Sequence, residues 1–166
     1  MRLRDAGRED FAAILALNAD SVEVLSPLSP QRLEALHREA AYHKVIDIDG
    51  AIAAFLLAFR EGAAYDSPNY VWFAGRYPAF LYIDRIVVDA AHRGSGLGAA
   101  LYDDIAAFAA HSRIPWLTCE FAIKPPNAAS ARFHARRGFE EVGTQELYGG
   151  KKRVSLQAKA IASFMR

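Results

Sequence analysis

The stretch that most constrains this chain runs from Phe80 to His111. It opens with FLYIDRIVVD, rich in β-branched and aromatic residues, which predicts a strand. It ends with a segment in which Leu97, Leu101, Ile105 and Phe108 recur at spacings of four, four and three, one face of a helix. Between them lies Arg93-Gly94-Ser95-Gly96-Leu97-Gly98, a basic residue and three alternating glycines. Glycines there permit positive φ and let a ligand approach the backbone. The first amides of the following helix lack intrahelical acceptors and sit at the positive end of its dipole. Strand, glycine turn and helix N-terminus together form a site for phosphate oxygens.

The rest of the chain supplies the context. At 166 residues it suits one domain, residues 1–166, with a sizeable core. Net charge is +1, so charge gives no argument for nucleic acid or an anionic membrane surface as partner. The single cysteine, Cys119, excludes an internal disulfide or a multi-cysteine metal site. No signal-like leader or membrane-length apolar run is read, so the expected location is cytoplasmic.

Met1 to Ala6 suits a short strand with Leu3 inward, and Phe11, Ile14, Leu15 and Leu17 form the apolar face of a first helix. Ser29-Pro30 predicts an N-cap and first residue of a second helix with Leu33, Leu36 and Ala40 buried. Asp49-Gly50 marks a tight hairpin between two strands. Ile114 to Phe121 reads as a strand, Asn127 as the cap of a short helix ended by Gly138, and Phe139 to Tyr148 and Arg153 to Ala160 as a final strand pair. Ser163 to Arg166 is expected to fray. Between 61 and 79 lie Tyr65, Tyr70, Trp72, Phe73 and Tyr77 among Gly, Pro, Asp and Asn, with no helical spacing read. Such a segment either covers the core or walls a substrate pocket.

Three phosphate ligands compete for the glycine turn. A P-loop needs a lysine after the second glycine, and none lies near. A dinucleotide turn fits Gly94, Gly96 and Ala99, with Glu120 some 20 residues on, but that fold needs repeated βαβ units and only one remains after residue 98. The third reading fits the whole order of elements. Arg93-x-x-Gly96-x-Gly98 resembles the R/Q-x-x-G-x-G/A pyrophosphate loop of the GNAT superfamily of acyl-CoA N-acyltransferases. Asn127, Ser130, Phe133, His134 and Gly138-Phe139 resemble that family's second signature, N-x-x-[AS]-x-x-[FL]-Y-x-x-x-G-F, about thirty residues later. The order β-α-α-β-β-β-α-β-α-β-β is also similar across nearly the whole chain.

The resemblance implies a mixed α/β (α+β) fold: a mostly antiparallel central sheet of about six or seven strands, flanked by about four helices. It implies acetyl-CoA as cosubstrate, no metal, and transfer of its acyl group to a primary amine of a small molecule or peptide, by direct attack in a ternary complex. Assembly as a homodimer is left open, and neither nucleic acid nor membrane is an expected partner. The amides of Arg93, Gly94, Ser95, Gly96, Leu97 and Gly98 would hold the CoA pyrophosphate. Ile86, Val87 and Val88 would run beside the pantetheine, with the Val88 N–H facing the thioester oxygen. Asn127, Ser130, Phe133 and His134 would line the arm.

Two carboxylates are candidates to bind or deprotonate the amine. Glu120 is similar to the glutamate of the family pattern L-E-V-x-x-x-N, although its spacing to Asn127 is two residues longer here. Asp84 resembles the acid of Y-x-E-x-I-x-V, and could instead pair with Arg85. Where the family usually has tyrosine, proposed to protonate the leaving thiolate, this chain has His134. It either acts as that acid, packs against CoA or faces solvent. Tyr148 is a weaker substitute. Cys119 alternates away from Glu120 and reads as a core residue. His37, His43, His92 and His111 are scattered without ligand spacing. The alternatives are a non-catalytic acyl-CoA-binding module and a dinucleotide-binding oxidoreductase fragment.

Overall fold

The computed structural model describes residues 1–21 and 25–162, so the fraying expected of Ser163 to Arg166 lies outside the described residues. Seven strands form one sheet: β1 (Arg2–Asp5), β2 (Tyr42–Ile48), β3 (Ala51–Arg60), β4 (Leu81–Val88), β5 (Trp116–Lys124), β6 (Glu140–Leu147) and β7 (Lys152–Ala160). Their spatial order is β1-β2-β3-β4-β5-β7-β6. Every neighbouring pair is antiparallel except β4 and β5. Among the described residues there are also five α-helices: α1 (Phe11–Ala19), α2 (Pro30–Glu39), α3 (Pro68–Ala74), α4 (Leu97–His111) and α5 (Ala128–Arg136). The mixed, mostly antiparallel sheet is the expected architecture.

Helix starts follow from local chemistry. The Ser29 hydroxyl accepts the Arg32 amide at 3.0 Å with Pro30 following, and the Asn127 side chain accepts the Ser130 amide at 3.1 Å. The sheet is covered on both faces. On one, Leu97, Leu101, Tyr102, Ile105 and Ala109 of α4 pack on Ile46, Ala54, Leu56 and Ile83. On the other, Ile14, Leu17 and Leu33 of α1 and α2 cover Val45, Phe55 and Val87.

The 61–79 segment differs from expectation, since it contains α3. Pro68 pre-sets the first turn, and Tyr70, Phe73 and Tyr77 lie at helical spacing. Seven residues hemmed by Gly, Pro and Asn hid that period in the sequence. Tyr70 and Phe73 are fully buried against Phe59, Phe80 and Tyr82, and the Tyr70 hydroxyl donates to the Arg60 carbonyl at 2.6 Å while accepting the Ala63 amide. Trp72 lies over β6 so closely that a Cβ on Gly143 would stand 2.5 Å from its ring. The aromatic segment is therefore chiefly a core cover.

Candidate active site

The site begins where β4 and β5 stop pairing. Their parallel register holds only at Leu81↔Leu117 and Tyr82↔Thr118. Beyond it β4 keeps β3 and β5 keeps β7, so the two facing edges part. The opening leaves backbone groups of β4 without a strand partner. Asp89 donates its amide to the Ala53 carbonyl at 2.8 Å, toward β3. Strand alternation then turns the Val88 and Ile86 amides the other way, into the opening. The Val87 side chain faces the opposite side and packs with Phe55 and Ile14.

A β-bulge re-aims the next residues. Leu57 opposes Arg85 and Ala58 opposes Ile83, which leaves Asp84 as the extra residue of β4. Regular alternation would send Asp84 and Arg85 to opposite faces, whereas the bulge lets neighbours pair side by side. Asp84 Oδ2 accepts Arg85 Nε at 2.7 Å, and its Oδ1 accepts the Tyr65 hydroxyl at 2.5 Å. Arg85 also donates to Asn18 Oδ1 at 3.0 Å and to the Ser26 carbonyl and hydroxyl. Both side chains of this ion pair are about 5% exposed, 5% for Asp84 and 4% for Arg85. Asp84 therefore occupies the ion-paired alternative of the two read from sequence.

Two adjoining cavities fill the opening, of about 300 and 230 Å³. The larger is walled by Ile86, Tyr102, Asn127, Ser130 and His134. The smaller is walled by Tyr65, Asn69, Tyr82, Tyr148 and Lys152. Asp84, Arg85, Glu120 and Lys152 belong to both. Of the aromatic segment only Tyr65 reaches the cavity, with Ser67, Pro68 and Asn69 beside it, so the wall of rings read from the sequence is one ring.

Glu120 stands at the junction. Its Oε2 accepts the Tyr82 hydroxyl at 2.6 Å. Burial pushes its carboxyl up to about 7, with Asp84 adding to the rise, while the Tyr82 hydroxyl, the Lys152 ammonium and the Asn69 amide oppose it. Asn69 is itself held by Gln145 at 3.0 Å. A carboxylate with that proton affinity is half ionised near neutrality, the range in which a general base works best.

In the larger lobe His134 is buried, so the solvent-facing alternative does not occur. Its Nδ1 lies 2.7 Å from the Ser130 carbonyl, which can only accept, and that fixes the neutral ring's proton at Nδ1. Nε2, 2.7 Å from the Tyr102 hydroxyl, then accepts from it. Phe121 stacks on the ring, and burial holds the imidazole below its ordinary proton affinity. Phe133 meets Tyr102 edge-on and lies under Arg137. Cys119 is 2% exposed, points at Tyr102 rather than along Glu120, and its thiol is pushed well up by burial, as a core residue should be.

The glycine turn sits beyond the end of β4. Gly94 and Gly96 have φ of +81° and +86°, left-handed values that favour glycine. Gly96 is the N-cap of α4, and ideal Cβ atoms on Gly94, Gly96 and Gly98 would meet nothing within 4 Å, an open cradle. Arg93, Gly94, Ser95 and Gly96 are exposed, and Leu97 has its side chain in the core, so only its amide faces the cradle. The residues present fit a pyrophosphate. Among the described residues no group of three or more His, Cys, Asp or Glu side chains is placed to hold a metal ion, and no helix is long and apolar enough to cross a membrane.

Tyr82, Tyr102, Asn69 and Lys152 are the cavity residues the sequence did not single out. Tyr82 lay inside the quoted Tyr82-Ile83-Asp84 string. The others meet their partners only through tertiary contacts, and Tyr102 and His134 are 32 residues apart.

Comparisons with known proteins agree with this fold. No curated protein sequence matches the chain. Solved structures do, at identities that speak for the fold. Ard1 from Thermoplasma volcanium superposes with a TM-score of 0.78 at 16% identity, covering 98% of each chain. Naa20 from Chaetomium thermophilum, solved with a bisubstrate analogue, gives 0.76 at 17%, covering 97% of this chain and 87% of that one. The ribosomal-protein-S18-alanine N-acetyltransferase from Escherichia coli gives 0.74 at 17%, covering 97% and 94%. The family model described as acetyltransferase (GNAT) matches residues 11–139, most of the sequence, and the chain belongs to that family.

Proposed function

We propose that this protein transfers the acetyl group of acetyl-CoA to a primary amine, by direct attack of the amine on the thioester in a ternary complex. The observation that carries the reading is the placement of Glu120 where the two lobes of the cavity meet. The larger lobe, walled by Ile86, Asn127 and Ser130, suits the acyl donor, and the smaller suits the acceptor.

The acceptor reaches the site as an ammonium, with a pKa near 10, and has no lone pair until it loses a proton. Glu120, with its proton affinity near neutrality, takes that proton directly or through a water. The Val88 amide, turned into the opening, donates to the thioester oxygen as negative charge grows there. The cradle from Arg93 to Gly98 holds the pyrophosphate with backbone amides, and Ile86, Asn127 and Ser130 flank the arm. The second proton lost by the nitrogen ends on the leaving sulfur. His134 supplies no free proton in its neutral form, and the Tyr102 hydroxyl rests its own on His134 Nε2, so Tyr102 serves the sulfur only by turning from that nitrogen to the thiolate.

Thermal unfolding with acetyl-CoA, and with NAD(H) as control, tests the donor. Acetyl-CoA is expected to raise the melting temperature and NAD(H) to leave it unchanged. Thiol release over a panel of primary amines tests the transfer. A thermal shift without turnover on any amine would make the protein an acyl-CoA-binding module, and a shift with NAD(H) alone would sink the donor assignment.

A further inference from the structure

We propose that the acceptor is a small amine that also carries a carboxylate, as an amino acid does, and that Lys152 selects it. The inference rests on the acyl-transfer reading above and specifies its substrate class.

The charges around the acceptor lobe decide the matter. Among the described residues four charged side chains line it: Asp84, Arg85, Glu120 and Lys152. Asp84 and Arg85 neutralise one another at 2.7 Å, and their remaining hydrogen-bonding capacity goes to Tyr65, Asn18 and Ser26. Neither can serve a ligand without leaving a buried charge unpaired. Glu120 and Lys152 remain. Among the described residues no carboxylate lies within ion-pair distance of the Lys152 ammonium, although its field is felt at Glu120. Alternation along β7 puts Lys152 on the face of Val154 and Leu156, and Leu156 opposes Glu120 on β5. The lobe thus presents an acceptor for the amine proton and, on the same face, a cation awaiting an anion.

Such a pair discriminates in both directions. A polyamine would bring a second positive charge to Lys152, and a neutral amide would leave the half-buried ammonium unmatched. A carboxylate on the acceptor satisfies it with a charge-assisted hydrogen bond. Size points the same way: at about 230 Å³ the lobe lies below the ~300–1,000 Å³ of pockets for drug-sized ligands.

The experiment compares, by thiol release from acetyl-CoA at pH 8, an α-amino acid series with the matching α-amino amides and with a diamine. Wild type is expected to prefer the acids in kcat/KM by roughly 10- to 100-fold, the range of one charged hydrogen bond. In Lys152→Met that ratio should fall to near one, mainly through KM for the acid, and in Lys152→Glu the diamine should overtake it. Equal kcat/KM for acids and amides in wild type, or a ratio untouched by Lys152→Met in a protein that still responds thermally to acetyl-CoA, overturns the inference. Turnover of amines without acid preference leaves acyl transfer standing and removes this proposal alone. Turnover of no amine at all removes both.

Discussion

Replacing Glu120 by Gln separates the catalytic and energetic consequences of one partly buried carboxyl. In the folded protein this group titrates at about 7 against an ordinary 4.5, because burial disfavours its charged form. Ionising it therefore costs the native state. The stability due to the neutral group is complete below about pH 4.5 and is lost as pH rises through about 7. One pKa unit is worth about 1.4 kcal/mol, so the full cost is about 3 kcal/mol above pH 8 and falls below about 1 kcal/mol at pH 5. Glutamine keeps an acceptor for the Tyr82 hydroxyl and carries no charge. Glu120→Gln should thus be more stable than wild type by about 3 kcal/mol at pH 8.5, roughly 6–12 °C in Tm for a chain of this size, and by little at pH 5. Its activity should move oppositely. Wild-type kcat/KM should fall about tenfold per pH unit below 7, while the variant should be flat and lower by about 10²–10⁴-fold. The groups that face Glu120, namely Tyr82, Asp84, Asn69 and Lys152, set the midpoint. Thermal scans and initial rates from pH 5 to 8.5 measure both. A Tm difference that does not change with pH, or an acid limb that survives in the variant, would refute the assignment.

Three further outcomes follow from the same geometry. Gly96→Glu should abolish the thermal shift with acetyl-CoA, since it puts a side chain and a negative charge into the cradle at a φ of +86°; a retained shift means the cradle holds no pyrophosphate. Arg85→Met should cost about 3–5 kcal/mol in denaturant unfolding by leaving Asp84 buried and unpaired, and adding Asp84→Asn should recover part of it. If the second change recovers nothing, the buried charge is not the cause. His134→Phe should leave the Tyr102 hydroxyl without its acceptor, costing about 1–3 kcal/mol, and should lower turnover while the acetyl-CoA shift persists. Unchanged turnover removes the Tyr102–His134 pair from the proton path.

Much of this was legible in the sequence because it is local. The glycine turn, the Ser29 and Asn127 caps, the Asp49-Gly50 hairpin and the strand Leu81 to Val88 are decided by residues within a few positions of one another. Helix α3 was not, because its apolar period spans only seven residues and its stability comes from Phe59, Phe80 and Tyr82 in other elements. The roles of individual side chains were decided later still. The residues around Asp84 name Arg85 as a possible partner but do not show the bulge that seats the two side by side and commits the carboxylate to that pair. Nothing near His134 shows that the Ser130 carbonyl fixes its proton or that Tyr102 meets its other nitrogen. Glu120 was nameable from sequence, yet its proton affinity comes from burial between β4 and α3, and Lys152 joins it only through pairing of β5 with β7. Backbone conformation is set over a few residues, so the sequence alone determined the glycine turn and the open cradle it makes at the start of α4. Desolvation and charge pairing depend on what distant segments bring together, so only the tertiary structure decided which carboxylate is poised to take a proton.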